Sequence, residues 1–176
     1  MSADTDRAAA PPPAFTSRVH VHRVEVHFGD CDPAGIAFFP NFSRWMDEAS
    51  LAFFMACGVP PWRELVKTRG IVGTPLLEIH TRFIKTATYG ETIDIHTTVE
   101  HWAAKTFRHR HVVRRGDTVL CEGTEVRAFV VRDPADPDRL RAIPVPEDIK
   151  AACMWPDAVR NVDTEHGPET ARRDEE

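Results

Sequence analysis

HFGDCDPAGIAFFPN, residues 27–41, sets two acids, Asp30 and Asp32, around Cys31, then a Pro-Ala-Gly turn, then a run of apolar residues ending in Pro-Asn. Upstream, RVHVHRVEVHF alternates apolar and polar residues as a strand does. The parity slips at Arg23, which predicts a β-bulge there. Downstream, Phe42, Trp45, Met46, Ala49, Ala52, Phe53 and Ala56 recur at helical spacing, and Leu51, Phe54 and Met55 widen the apolar arc. The stretch is therefore the junction between a strand and a helix buried on most sides. Asn41 is the expected N-cap and Gly58, before Pro60-Pro61, the expected C′ residue.

A second short helix fits PWRELVKTRG, with Pro61 in its first turn and Gly70 at its end. From Thr74 onward the pattern is one of strands. Ile79, Thr81 and Phe83 alternate with polar neighbours, then Ile93, Ile95, Thr97 and Val99, then Phe107, His109, His111 and Val113. Arg115-Gly116-Asp117 reads as a hairpin turn. The run TVLCEGTEVRAFVVR is long enough to require a bend. Asp133 to Asp138 is a Pro- and Asp-rich loop, and RLRAIPVP is a last strand. One apolar helix followed by four or five antiparallel strands predicts an α+β fold, an antiparallel sheet curled around a long central helix.

The chain has 176 residues, 42% of them hydrophobic and 28% charged, the bounds of one globular domain. The expected organisation is a disordered leader over 1–16, a folded domain over 17–153 and a flexible polar tail over 154–176. A net charge of −5 argues against a dedicated nucleic-acid binder. Positive charge is nevertheless concentrated at Lys105, Arg108, Arg110, Arg114 and Arg115, with Arg139 and Arg141 further on. Cys31, Cys57, Cys121 and Cys153 form no CxxC pair, so a reducing compartment is the default and the cytoplasm the expected location. No apolar run reaches the roughly 20 residues of a membrane span.

Chemically, a carboxylate before a buried helix faces unpaired N–H groups and the positive end of the helix dipole. The same N–H groups can polarise a carbonyl oxygen, and Gly35 permits close approach of backbone to ligand. The competing reading is that Asp30 and Asp32 only cap a turn. Histidines 20, 22, 27, 96, 101, 109 and 111 lie on several strands without HExxH or a paired cysteine set, so surface or cross-strand positions are expected and no metal centre. Asp47 and Glu48 are either solvated or paired acids of the central helix, or reach a neighbouring subunit's pocket. Cys31 is discounted as a nucleophile, because flanking carboxylates disfavour its anion.

The run GDCDPAGI, continued through CGVPPW, RGIVGTP, Lys105 and RLRAI, resembles the 4-hydroxybenzoyl-CoA thioesterase family of the Pseudomonas type. The resemblance spans Val24 to Pro146. It implies a hotdog fold, a homotetramer and hydrolysis of an aromatic acyl-CoA, with no cofactor beyond the CoA of the substrate. It implies Asp32 as the catalytic carboxylate and the Phe39 amide as the donor to the thioester carbonyl. It further implies Trp62 and Thr74 in the acyl pocket, and Lys105, Arg139 and Arg141 around the CoA phosphates. The family's type enzyme has tyrosine at the position of Phe39; a backbone donor survives that change. Alternatives are a short- or branched-chain acyl-CoA thioesterase, whose relatives carry a histidine where this chain has Pro40, and a non-catalytic acyl-CoA-binding hotdog protein. A hotdog dehydratase needs a histidine on the central helix, and Asn41 to Val59 contains none.

Overall fold

A computed structural model describes residues 17–155. The expected leader, and the expected tail beyond Trp155, lie outside the described residues. Strand β1 (His20–Glu25) and a 3-10 turn (Phe28–Asp30) lead into helix α1 (Pro40–Ala56). Helix α2 (Trp62–Arg69) and strands β2 (Ile71–Gly73), β3 (Leu76–Phe83), β4 (Thr92–Trp102), β5 (Thr106–Arg115) and β6 (Thr118–Ala128) follow. Strands β7 (Val130–Arg132) and β8 (Leu140–Ala142) and helix α3 (Glu147–Cys153) complete the order. One antiparallel sheet runs β1-β4-β5-β6-β3 and a smaller one β2-β7-β8.

The large sheet wraps α1 because both surfaces are apolar in register. Phe42, Trp45, Met46 and Ala49 pack with Ile93, Ile95, Val113 and Leu120 near the start of the helix. Phe53 and Phe54 pack with Phe107, Phe129, Leu65 and Ile71 near its end. Each fully buried aromatic or large aliphatic side chain contributes about 1.5–3 kcal/mol. Gly123 faces inward on β6 where a Cβ would stand 2.6 Å from Met46 Sδ, so the missing side chain is what admits the helix. The long TVLCEGTEVRAFVVR run does bend: pairing breaks at Phe129, β6 stays with the large sheet and β7 starts the small one.

Two local expectations are corrected. Helix α1 starts at Pro40 with Phe39 at the cap position and no side-chain cap; Asn41 instead donates from Nδ2 to the Asp30 carbonyl, 2.8 Å. Proline at the first helical position has no N–H to satisfy, which removes part of the need for a cap. Strand β1 pairs with β4 without a register shift, so there is no bulge at Arg23; the parity slip reflects Val21, which is exposed on this outermost strand. Register shifts in the large sheet lie elsewhere: between Val99 and His101 in β4, between Leu76 and Glu78 in β3 and between Val113 and Arg114 in β5. Of the two positions expected for the histidines, surface or cross-strand, His111 takes the second, between Thr97 on β4 and Glu125 on β6; His109 and His111 are both completely buried, with polar partners supplied by the core. Helix α3 and the short strand β2 were not anticipated, each being too short for a periodic signal. No helix among the described residues is long and apolar enough to cross a membrane.

Candidate active site

The Asp30–Asp32 stretch is a pair of nested turns fastened to the connection between β3 and β4. Cys31 and Ala37 form a bridge, and the Asp32 N–H donates to the Ile36 carbonyl at 2.9 Å. The Ala37 N–H donates to the Ala87 carbonyl at 2.8 Å, and Thr88 Oγ1 donates to the Gly35 carbonyl at 2.6 Å. Gly35 has φ +76°, a left-handed conformation that permits the turn.

The two acids have different duties. Asp30 accepts from the His27 N–H at 2.9 Å and from Arg44 Nη2 at 2.9 Å, while its carbonyl accepts from Phe38 N–H and Asn41. Both of its carboxylate oxygens hold the junction together. Asp32 uses one oxygen for the Ala34 N–H, 2.8 Å, and its second has no partner among the described residues. It is half-buried. The Phe39 N–H, at the cap position of α1, has no hydrogen-bond acceptor among the described residues. Its side chain is 62% exposed and, with Phe42, Phe83 and Ile84, lines a cavity of about 230 Å³ beside the helix start.

Trp62 and Thr74 meet at a second cavity of about 440 Å³, together with Asp47, Ser50, Leu51 and Arg127. Asp32 is not part of its wall. Lys105 is exposed in the β4–β5 turn. The adjacent Ala104 carbonyl accepts from the Val145 N–H at 3.0 Å, which ties that turn to the segment that follows β8; Arg139, just before β8, and Arg141, within it, are both exposed. The Asp32 turn is anchored before the start of β4 and Lys105 lies beyond its end. An 11-residue strand separates them, about 36 Å at 3.3 Å per residue.

Behind the 440 Å³ cavity lies a buried ionic cluster that the sequence reading did not identify. Glu125 Oε2 accepts from Ser50 Oγ at 2.9 Å and Arg127 Nε at 2.8 Å, and faces His111 Nε2 at 3.3 Å. His111 Nδ1 meets Thr97 Oγ1 at 3.0 Å, and His109 Nδ1 meets Ser50 Oγ at 3.0 Å. Burial pushes the Glu125 carboxyl up, but hydrogen bonds from His111 and Arg127 outweigh it and hold the group down at about 2. Burial, then the neighbouring His111, drives His109 well below the ordinary imidazole range. His109, His111 and Glu125 bring their ligand atoms within 4.8 Å of one another. Arg127 already neutralises that carboxylate, which makes the cluster a poor cation site.

Comparison with known proteins agrees with this geometry. Residues 26–153 match the model of the thioesterase-like superfamily. The chain is 46% identical over 133 residues to a 4-hydroxybenzoyl-CoA thioesterase from Pseudomonas sp. (strain CBS-3), covering 73% of this chain and 92% of that protein. A mutant 4-hydroxybenzoyl-CoA thioesterase crystallised with 4-hydroxybenzoyl-CoA superposes with a TM-score of 0.74 at 42% identity, covering 78% of this chain and 99% of that one. BH1999, a gentisyl-coenzyme A thioesterase, superposes with a TM-score of 0.66 at 29% identity, covering 76% and 98%. The wrapped helix, the acid turn at its start and these similarities agree: this chain belongs to the thioesterase-like superfamily and carries its hotdog fold.

Proposed function

We propose that the protein hydrolyses aromatic acyl-CoA thioesters to the free acid and CoA, with preference for a ring that bears a hydroxyl. The observation that carries this reading is the uncommitted Asp32 oxygen in the turn that feeds the α1 N-terminus, where the Phe39 N–H is also unclaimed. The amide and the helix dipole stabilise negative charge developing on the thioester oxygen. The Asp32 carboxylate then acts in one of two ways. It attacks the carbonyl carbon, expelling CoA thiolate and leaving a mixed anhydride that water cleaves. Alternatively, it takes a proton from water as that water attacks the same carbon. The acyl pocket is the cavity of Trp62, Thr74 and Asp47, whose indole and acceptor oxygens suit a hydroxylated ring. Both named relatives act on hydroxylated aromatic acyl groups.

The chemistry and the binding residues lie too far apart in one chain to serve one substrate, so the working site is assembled from more than one copy, as a homotetramer. The edge strand β3 supports this reading, because Leu76, Leu77, Ile79 and Phe83 are exposed along it. Free-thiol release from hydroxybenzoyl-, benzoyl- and short aliphatic CoA esters, measured on fractions sized by light scattering, tests the proposal. Fastest release from the hydroxylated ester by a multimer is expected. Fastest release from an aliphatic ester, tight binding without release, or a fully active monomer would each overturn it.

Lys105, Arg139 and Arg141 supply the cationic rim for the CoA phosphates, since local rather than net charge governs such binding. An exposed ion pair is worth up to about 1 kcal/mol. Arg141→Ala should therefore raise KM for the CoA ester about two- to fivefold with kcat little changed. The effect should shrink at high salt and vanish on a pantetheine thioester. An equal penalty on both substrates would show the arginine to be structural.

A further inference from the structure

The buried cluster behind the acyl cavity has no place in the hydrolysis itself, yet every nitrogen of one guanidinium in it is committed. Arg127 Nε donates to Glu125 Oε2 at 2.8 Å on β6 itself. Arg127 Nη1 donates to the Thr74 carbonyl at 3.0 Å, just before β3, and Nη2 to Asp47 Oδ1 at 2.6 Å on α1. The arginine side chain is 6% exposed, whereas that of Asp47 is 67% exposed. One planar group thus joins three of the segments that contribute to the cavity wall: β6, the Thr74 segment and α1. Glu125, 1% exposed and held by Ser50 and His111, fixes the near end of that group.

Ion pairs buried this deeply add little net stability over apolar residues of the same volume. What the arrangement supplies is placement. With Oδ1 of Asp47 claimed by Arg127, Oδ2 has no hydrogen-bond donor among the described residues, and Asp47 is one of the residues that line the cavity. We propose that Arg127, oriented by Glu125, is a positioning residue for acyl-group selection: it holds Asp47 and the Thr74 segment so that the cavity presents a fixed acceptor to a ring hydroxyl. Resting on the acyl-pocket reading above, the inference adds the residues that make the pocket selective. Arg127 borders the cavity, but its Nε, Nη1 and Nη2 each donate to a protein acceptor, so the proposed role runs through Asp47 rather than through the substrate. Lysine, a point charge with no planar fork, does not replace it.

Binding rather than turnover tests this. The probes are two non-hydrolysable CoA thioethers, 4-hydroxyphenacyl-CoA and phenacyl-CoA, titrated calorimetrically into the full chain. Wild-type protein should favour the hydroxylated probe by about tenfold or more, the scale of a hydrogen bond to a charged group. Arg127→Lys should lose most of that preference, with a much smaller change for the bare ring. Asp47→Ala should lose the preference as well, and the double variant should match Asp47→Ala alone, as for residues that act through one another. If Arg127→Lys fails to fold, Glu125→Gln is read the same way and should show a partial loss. Equal weakening of both probes, or additive losses in the double variant, would overturn the positioning role while leaving the pocket reading intact. Absence of any preference in the wild type would instead remove the pocket reading, and this inference with it.

Discussion

Asp32→Asn is expected to lower kcat by about 10²–10⁴-fold, the range for loss of a positioned acid–base group, while acyl-CoA affinity changes little. The asparagine keeps an oxygen for the Ala34 N–H, so the turn keeps its hydrogen bond while the negative charge and its nucleophilic or basic capacity disappear. Asp30→Asn is the control. It loses one oxygen that Arg44 or the His27 N–H needs, so it should cost about 1 kcal/mol of stability and little of the chemistry. Single-turnover thiol release separates chemistry from product release. Near wild-type kcat in Asp32→Asn would remove the mechanism. Inactivity of a well-folded Asp30→Asn alone would mean that the two acids had been assigned in the wrong order.

Glu125→Ala should produce the largest stability loss among substitutions in the core cluster. Removing one partner of a buried pair costs about 3–5 kcal/mol. Here the lower end applies, because Arg127 keeps Asp47 and the Thr74 carbonyl. The pH dependence has a defined sign. The folded carboxyl sits at about 2, below an unfolded value of about 4.3. The stabilisation is therefore fully present above the unfolded value and is lost as pH falls through the folded one. The gap between wild type and Glu125→Ala in urea unfolding should accordingly be widest above about pH 5 and narrow toward about pH 2. A gap that is below 1 kcal/mol at neutral pH, or that does not change with pH, would show that the carboxylate carries no net ionic stabilisation.

Much of this architecture was legible because it is written in short-range periodicity. The 3.6-residue repeat from Phe42 to Ala56 marked α1, and alternation marked β3 to β6. The long TVLCEGTEVRAFVVR run announced its own bend. The Asp-Cys-Asp-Pro-Ala-Gly turn marked the start of the helix, with its uncommitted acid, and the family resemblance that named Asp32 and Phe39 rests on the same residues. The ionic cluster was less visible, although a signal was present. Inward parity on β6 carries Gly123, Glu125 and Arg127, a hole and two opposite charges where apolar residues were expected. Reading that parity alone would have flagged a buried pair.

The amino-acid sequence by itself determined which segments fold into what, because local backbone preference and apolar spacing act between residues close in the chain. It also determined the acid's position one turn ahead of the helix. Only the tertiary structure decided the partners, since these are set by which strands come to lie beside one another. His109 and His111 read as surface or cross-strand histidines along β5, and only the fold decides between the two: Ser50 from α1 and Glu125 from β6 complete them in the interior. Asp47 looked like a solvated or paired helix acid. The fold gives it Arg127, 80 residues away in sequence, and a place in the cavity of Trp62 and Thr74. Lys105 and Asp32 read as parts of one site in the sequence, and the fold sets them beyond opposite ends of β4. Burial and long-range pairing depend on the whole chain's packing, and no window of neighbouring residues contains that information.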